Sequence, residues 1–310
     1  ECAAIANKID RDGLSMAMLN TANIVGVAGT PPTGLITYLT AGAYMDSEGA
    51  PRDGRRAVVV EPFTSATIVD SLKGLFVPQE AIGEQYRKGL MGRDSAGVNW
   101  KLDQNVVSQT FGSNTGTPSV TIAATDAGIL TSGWASQSTV TLSNGAAGGN
   151  TMVLNVGDVI TFAGVYGANP QNRQSYGRLR NFVVKSAVAV TSAATQTVTI
   201  SPAIISAGQF QNVAISSGAG STYAVTQFNS TGTTSPQNIM LHRNAFTLAV
   251  ADLELPEGVH FAGRASDKEI GLSMRVVRQY TINNDSIPTR LDVLYGWAPL
   301  YPELACRVAA

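Results

Sequence analysis

Charge is scarce in this 310-residue chain: 14% of its residues are Asp, Glu, Lys or Arg, and its formal net charge is −1. A free globular monomer carries about a quarter charged residues. The shortfall fits a protein that hides much of its surface against copies of itself, and it fits a low-charge secreted β-protein equally well. Near-zero net charge argues against a strong nonspecific grip on nucleic acid, which phosphate neutralisation drives; any DNA beside this chain is expected to be confined rather than gripped. Cysteine is scarce too. Cys2 and Cys306 are too few for a disulfide framework and lack the spacing of metal ligands, so both are expected as free buried thiols. No apolar run approaches the ~20 residues of a membrane span. No secretory signal pattern is present, so the Asn-x-Ser/Thr matches at Asn229 and Asn284 carry little weight.

Catalytic templates are missing as well. His242 and His260 have no second His close in sequence, no Cys partner and no evident carboxylate companion, so a structural role is expected for each. Gly-x-Ser-x-Gly, His-Glu-x-x-His and Cys-x-x-Cys do not occur, which leaves neither an enzyme nor a cofactor or metal site to predict. The glycine-rich NIVGVAGTPPTG lacks both the Lys-Ser/Thr of a phosphate-binding loop and the Gly spacing of a dinucleotide site.

The first third does hold regular patterns. Cys2, Ile5, Ile9, Met16 and Leu19 recur at helical spacing, predicting a helix over 2–21 that Gly13 weakens. A second helix is expected over 35–48, with Leu35, Leu39, Ala43, Tyr38 and Met45 inward and Gly49 as its stop. Ala57–Val60 reads as a short strand buried on both faces. Pro62 breaks it, and Thr64 or Ser65 caps a helix with Ile68, Val69, Leu72 and Leu75 inward. Gln79–Leu90 gives another short helical stretch, and a turn and strand follow. Arg87, Lys88 and Arg93 form a basic cluster that reads as a solvated or subunit-contacting edge ahead of a DNA-facing patch.

Composition then changes. Residues 113–235 are rich in Ser, Thr, Gly, Val and Ala, with strand-like runs at Val120–Ala123, Thr139–Leu142, Met152–Leu154, Val159–Ala163, Phe182–Val190, Thr197–Ile200 and Tyr223–Phe228. Short strands between turn clusters predict an antiparallel barrel or sandwich. Linker-like ends, FGSNTGTP and NSTGTTSP, suggest a domain inserted into a surface loop. Within it, Asn169–Gly177 reads as a projecting polar loop. Asn169, Gln171, Arg173, Arg178 and Arg180 in and beside it are candidates for contact with a neighbouring subunit. After the block, Gln237–Ala251 predicts a short strand and then a helix begun near Asn244.

Leu272–Val308 reads as two strands around a polar turn. Met274, Val276, Arg278, Tyr280 and Ile282 recur every second residue, and Asn283–Pro288 supplies the turn. The return strand puts Leu291, Val293, Tyr295 and Trp297 on one face, with Arg290 and Asp292 on the other.

That closing stretch, SMRVVRQYTINND and TRLDVLYGWAPLYPELACRV, resembles the end of tailed-phage major capsid (coat) proteins. The order of helix, GAPRDGRRAVVVEP, helix ending in KGLF and YRKGLMGRDSAGVNW is similar to the same family, over roughly residues 1–112 and 236–310. The resemblance implies an α+β tailed-phage capsid fold, shared with encapsulins and the herpesvirus capsid floor, with axial and peripheral domains. An antiparallel β-barrel-like domain would be inserted in it, dividing the chain at 1–112, 113–235 and 236–310. It implies a structural protein that assembles with itself, as hexamers and pentamers, into an icosahedral shell around double-stranded DNA held without sequence specificity. Scaffolding and portal proteins would be partners, the virion the location, the bacterial cytoplasm the place of assembly, and no membrane would be involved. Arg290 and Asp292 then become candidate subunit contacts. An encapsulin-like shell holding cargo enzymes is the rival, and a β-rich secreted adhesin or hydrolase is more distant. The family's N-terminal arm and extended loop are not both within a chain opening at Glu1, so a processed or excerpted chain is expected.

Overall fold

The computed structural model describes residues 2–71, 95–145, 148–215, 221–267 and 271–310. The expected helix over 79–90, the inward Leu72 and Leu75, and the basic cluster of Arg87, Lys88 and Arg93 lie outside these residues. The first helix, α1 (Cys2–Asn20), and the second, α2 (Leu35–Ser47), stand close to their predicted bounds. Gly49, at φ +83°, ends α2 in the left-handed backbone that glycine adopts without strain. α3 (Pro62–Ser71) begins at the proline rather than after it, because a first-turn residue needs no amide hydrogen.

A mixed sheet carries these helices. Its strand order is Ile24–Gly26, Ala305–Ala309, Thr234–His242, Arg56–Val60, Asn99–Leu102, and Ser108–Thr110 pairs with the start of Thr234–His242. The outer pairings are parallel and the inner ones antiparallel. Val58 and Val60 alternate inward and pack on Tyr38, Ala41 and Met45 of α2 and Ile68 of α3. Tyr38 and Met45 of α2 are buried as expected, but Ala41 rather than Leu39 joins them. Leu39 is half exposed, because α2 is apolar nearly all round and the sheet decides which stripe it takes.

Residues 120–227 hold a closed six-stranded barrel. The antiparallel circuit runs Ser175–Val184, Thr195–Ser201, Ser138–Asn144, Val120–Ala123, Thr222–Gln227 and Val159–Ala168, then back to Ser175–Val184. Alternation fills its centre with Val120, Ile122, Val140, Leu142, Ile160, Phe162, Phe182, Val198, Ile200 and Tyr223, all buried. The predicted strands appear here within a few residues. Phe182–Val190 divides in two at Lys185, and the polar stretch at 169–177 is a hairpin tip whose return strand already starts at Ser175.

The closing part departs most from expectation. Phe246–Ala251 is a strand, not a helix, antiparallel to Leu294–Pro299. Phe246, Leu248 and Val250 recur every second residue, a strand period that was legible. The return strand of the predicted hairpin is interrupted. Thr289–Asp292 pairs with Ser273–Arg278, which also pairs with Phe261–Ser266, whereas Leu294–Pro299 leaves for the other ribbon. Cys2 is exposed and Cys306 buried, so one of the two thiols departs from the buried pair expected.

α1 crosses the ribbon of Leu294–Pro299. Trp297 Nε1 donates to the Ile9 carbonyl at 2.9 Å, and Tyr295 Oη donates to Asp12 Oδ2 at 2.6 Å. A Cβ at Gly13 would sit 2.7 Å from the Trp297 ring, so the helix-weakening glycine is what lets the indole lie against the helix. Alanine would gain about 1 kcal/mol of helix propensity, but overpacking costs about 1–3 kcal/mol. Gly13→Ala is therefore expected to speed hydrogen exchange at 294–299 and shift Trp297 emission; unchanged exchange would show that the helix moves freely.

Candidate functional site

Where the barrel meets the mixed sheet, a carboxylate collects the strands. Asp158 is fully buried and accepts the amide hydrogens of Gly112 (2.9 Å) and Asn155 (2.8 Å). It also accepts from the side-chain amides of Gln109 (3.2 Å) and Gln227 (2.9 Å). Burial pushes its pKa up, against the backbone donations of Asn155 and Gly112, which favour the anion. Arg307, also fully buried, donates to the Gly157 carbonyl at 2.9 Å, and its Nε and Nη2 meet no protein acceptor. Burial lowers the Arg307 pKa to about 10, opposed by the attraction of Asp158. Lys185, just beyond the barrel strand Ser175–Val184, donates to the Leu19 carbonyl and to Asn20 Oδ1, each at 2.7 Å, at the end of α1. Burial and the nearby Arg307 bring its pKa down to about 8.

The hairpin of Val159–Ala168 and Ser175–Val184 reaches back onto α2. Arg180 and Glu48 are almost completely buried side chains, joined at 2.8 and 3.1 Å. Tyr176 Oη donates to Glu48 at 2.9 Å. Burial and the Glu48 charge raise the Tyr176 pKa to about 12. A Cβ at Gly167 would lie 1.8 Å from Tyr176 Oη, so only glycine leaves room for this phenol. Arg178 lies 5.4 Å over the Tyr44 ring, within cation–π range. The tip beyond is a self-satisfied turn: Asn169 Oδ1 accepts the Gln171 amide at 2.9 Å, the Asn169 carbonyl accepts the Arg173 amide at 2.8 Å, and Arg173 has φ +59°.

A third cluster lies on the sheet of Phe261–Ser266, Ser273–Arg278 and Thr289–Asp292. Asp292 accepts from Arg275 at 2.6 and 3.2 Å and from Arg290 at 2.5 Å. Hydrogen bonds from Arg275 hold its pKa below the usual carboxylate range. Its side chain is 11% exposed, whereas that of Arg290 is 77% exposed.

The residues proposed from sequence thus fall into three settings. Arg290, Gln171, Arg173 and Asn169 sit at exposed or hairpin-tip positions; Asp292 is covered by its arginines; Arg178 and Arg180 are engaged within the chain, on α2. His242 is buried and does have a carboxylate companion, Asp53, at 3.1 Å, while His260 is exposed. Glu48, Asp158, Lys185 and Arg307 were not singled out. The polar Asp158 inside NVGDVITFAGV and the Arg307 inside an apolar terminal strand were the available signals, each a charge where burial is expected.

With this geometry in place, comparison with known proteins is informative. A family model described as P22 coat protein, gene protein 5, matches residues 3–307. No curated protein matches the chain.

Two outcomes follow from the buried charges. Glu48→Gln strands Arg180 in a dry site and is expected to cost about 3–5 kcal/mol in urea denaturation, while the double variant Glu48→Leu with Arg180→Met recovers most of it. Equal stability of the single variant and the native chain would show that water reaches the pair. For Lys185 the folded pKa lies below the unfolded 10.5, so the unfolded chain binds the extra proton between pH 8 and 10.5. Stability relative to Lys185→Gln should therefore rise with pH across that window and stay flat below it; a difference that stays flat throughout would place the ammonium in solvent.

Proposed function

The chain belongs to the P22 coat protein family, and we propose that its copies close, as hexamers and pentamers, into an icosahedral shell around double-stranded DNA. It is a major capsid protein, a structural component of a tailed-phage virion, and it associates with itself. The observation carrying this reading is a family match that spans both the mixed sheet and the barrel. The encapsulin-like shell and the secreted adhesin or hydrolase are not favoured by it.

Residues 1–112 and 236–310 would form the shell floor, with axial and peripheral parts, and 113–235 an inserted domain. What supports that division is the adjacency of the two ends. Ser113 bridges Thr231, and Ser108–Thr110 pairs with Thr234–Pro236, so a barrel can be placed between them without opening the floor. Scaffolding and portal proteins would guide closure in the bacterial cytoplasm. With net charge near zero, DNA would be enclosed rather than gripped. Many moderate contacts, repeated by symmetry, suffice to hold such a shell.

Among the candidate contacts, Arg290 combines exposure with a fixed geometry. Asp292 holds one edge of its guanidinium and leaves the remaining donors outward. Gln171 and Arg173, at a hairpin tip, are the second set. Electron microscopy of the purified chain should show closed shells, with Arg290→Glu reducing their yield at least about tenfold, as expected for repulsion against an acceptor on a neighbour. Dispersed native monomers would overturn the reading, and normal shells from Arg290→Glu would return that residue to ordinary surface.

A further inference from the structure

Between α2 and the mixed sheet lies a cavity of about 210 Å³. Tyr38, Val98 and Met240 line it from the buried core of that sheet. Arg52 and Arg56, on the turn leading into the strand Arg56–Val60, line it nearer the surface. An apolar cavity of about 150 Å³ accepts a benzene ring, so this one has room for a ring and a small polar group.

The polar end is built. Arg56 is 4% exposed, and its Nε donates to the Pro51 carbonyl at 2.9 Å. Its Nη2 donates to Asp46 Oδ1 and to the Ala50 carbonyl, each at 2.6 Å. These bonds fix the plane of the guanidinium and leave Nη1 without a partner among the described residues. Arg52 directs Nε and Nη2 at the same Asp46, so its Nη1 is left over as well. Two guanidiniums thus share one carboxylate. Asp53, next along the turn, is engaged by His242 and Arg55. The Tyr38 hydroxyl is buried and has no hydrogen-bond partner, a costly state for a polar group.

Gly42 supplies a separate observation. It lies within α2 and lines the cavity, and an added Cβ there would meet nothing within 4 Å. Glycine inside a helix weakens it relative to alanine, and packing within the chain does not require one here. Gly54 and Gly97, also on the wall, have φ +76° and +75°, so their turns account for them. Gly42 is accounted for if a ligand lies against the helix.

We infer that this cavity binds a small carboxylate with an apolar body. The carboxylate would take the Nη1 donors of Arg52 and Arg56, and the body would rest against Val98, Met240 and the bare backbone of Gly42. A planar guanidinium matches a carboxylate, and the apolar lining offers nothing to the second charge of a phosphate ester. A free acid or the C-terminal carboxylate of a peptide would present the same chemistry. The inference is independent of the coat-protein reading. An occupant would tie α2 to the turns at 51–55 and 95–98 and stabilise the folded chain by mass action.

The probes are benzoate and a short peptide ending in phenylalanine, titrated into the full chain by calorimetry with thermal unfolding alongside. Expected is single-site binding of at least one, with a dissociation constant of about 1 mM or tighter, and a raised melting temperature. Benzoate binding assigns the site to a free acid; binding of the peptide alone assigns it to a chain terminus. Benzamide, the same shape without the charge, should bind the benzoate site at least about tenfold more weakly. Arg52→Gln, at an exposed position, should weaken binding about fivefold. Gly42→Leu, which favours the helix and fills the cavity, should abolish binding without lowering the melting temperature of the unliganded chain. Failure of both probes overturns the inference, as does undiminished binding by both variants. Benzamide or phenyl phosphate binding as tightly as benzoate overturns the assignment to a carboxylate.

Discussion

Asp158 sets the relation between the two halves of the molecule. Its carboxylate accepts from residues on both sides of the barrel: Gln109 and Gly112 before it, Asn155 within it, Gln227 at its end. A buried anion with four donors is stable only while all four are in place, because an unmade bond to a charge in a dry site costs several times what a formed one contributes. The chain can thus leave the mixed sheet at 110 and return to it at 234 along nearly the same line, with the backbone of Ser108–Thr110 and Thr234–Pro236 paired. The terminal strand then closes the sheet between Ile24–Gly26 and Thr234–His242. Arg307, on that strand, reaches the Gly157 carbonyl next to Asp158.

Low overall charge gives each buried charged group unusual weight. Arg180 with Glu48, Lys185 at the end of α1 and Arg307 beside Gly157 all lie between the barrel and the rest of the chain. Such groups are poor sources of net stability compared with apolar side chains of the same size. They do fix geometry. Glu48 receives two donors from one barrel hairpin, and a rotation of the barrel would leave at least one charge unpaired. For a coat protein repeated many times, a small angular error per subunit would accumulate around the shell, so fixed orientation matters more than the last increment of stability.

The part of the chain from 246 to 300 follows a different economy. Its strands are anchored to α1 through Trp297 and Tyr295, and most of their apolar side chains are half-buried, with Phe261 and Leu294 exposed. Gly13 illustrates how little slack that anchor has: one methyl group at this position meets the indole.

Much of this was legible in the sequence. Alternating Val, Ile and Phe between Gly and Ser clusters placed most of the strands of residues 120–227, because a small barrel must fill its centre from every second position, but the hairpin of Val159–Ala168 and Ser175–Val184 ran five to seven residues beyond its expected bounds. The first two helices were equally plain, since their apolar spacing and Gly49 are local signals. The same local reasoning mistook Phe246–Ala251 for a helix, though its own alternation said otherwise, and ran Leu291–Trp297 as one strand. Nothing within that run shows that Leu294 turns to a different partner. Which stripe of α2 faces inward, that Arg180 meets Glu48 132 positions away, and that Asp53 sits beside His242 were decided by the tertiary structure alone. Periodicity records whether a segment has an inside face. Pairing between distant charges depends on where whole elements come to rest, and no spacing along the chain encodes that.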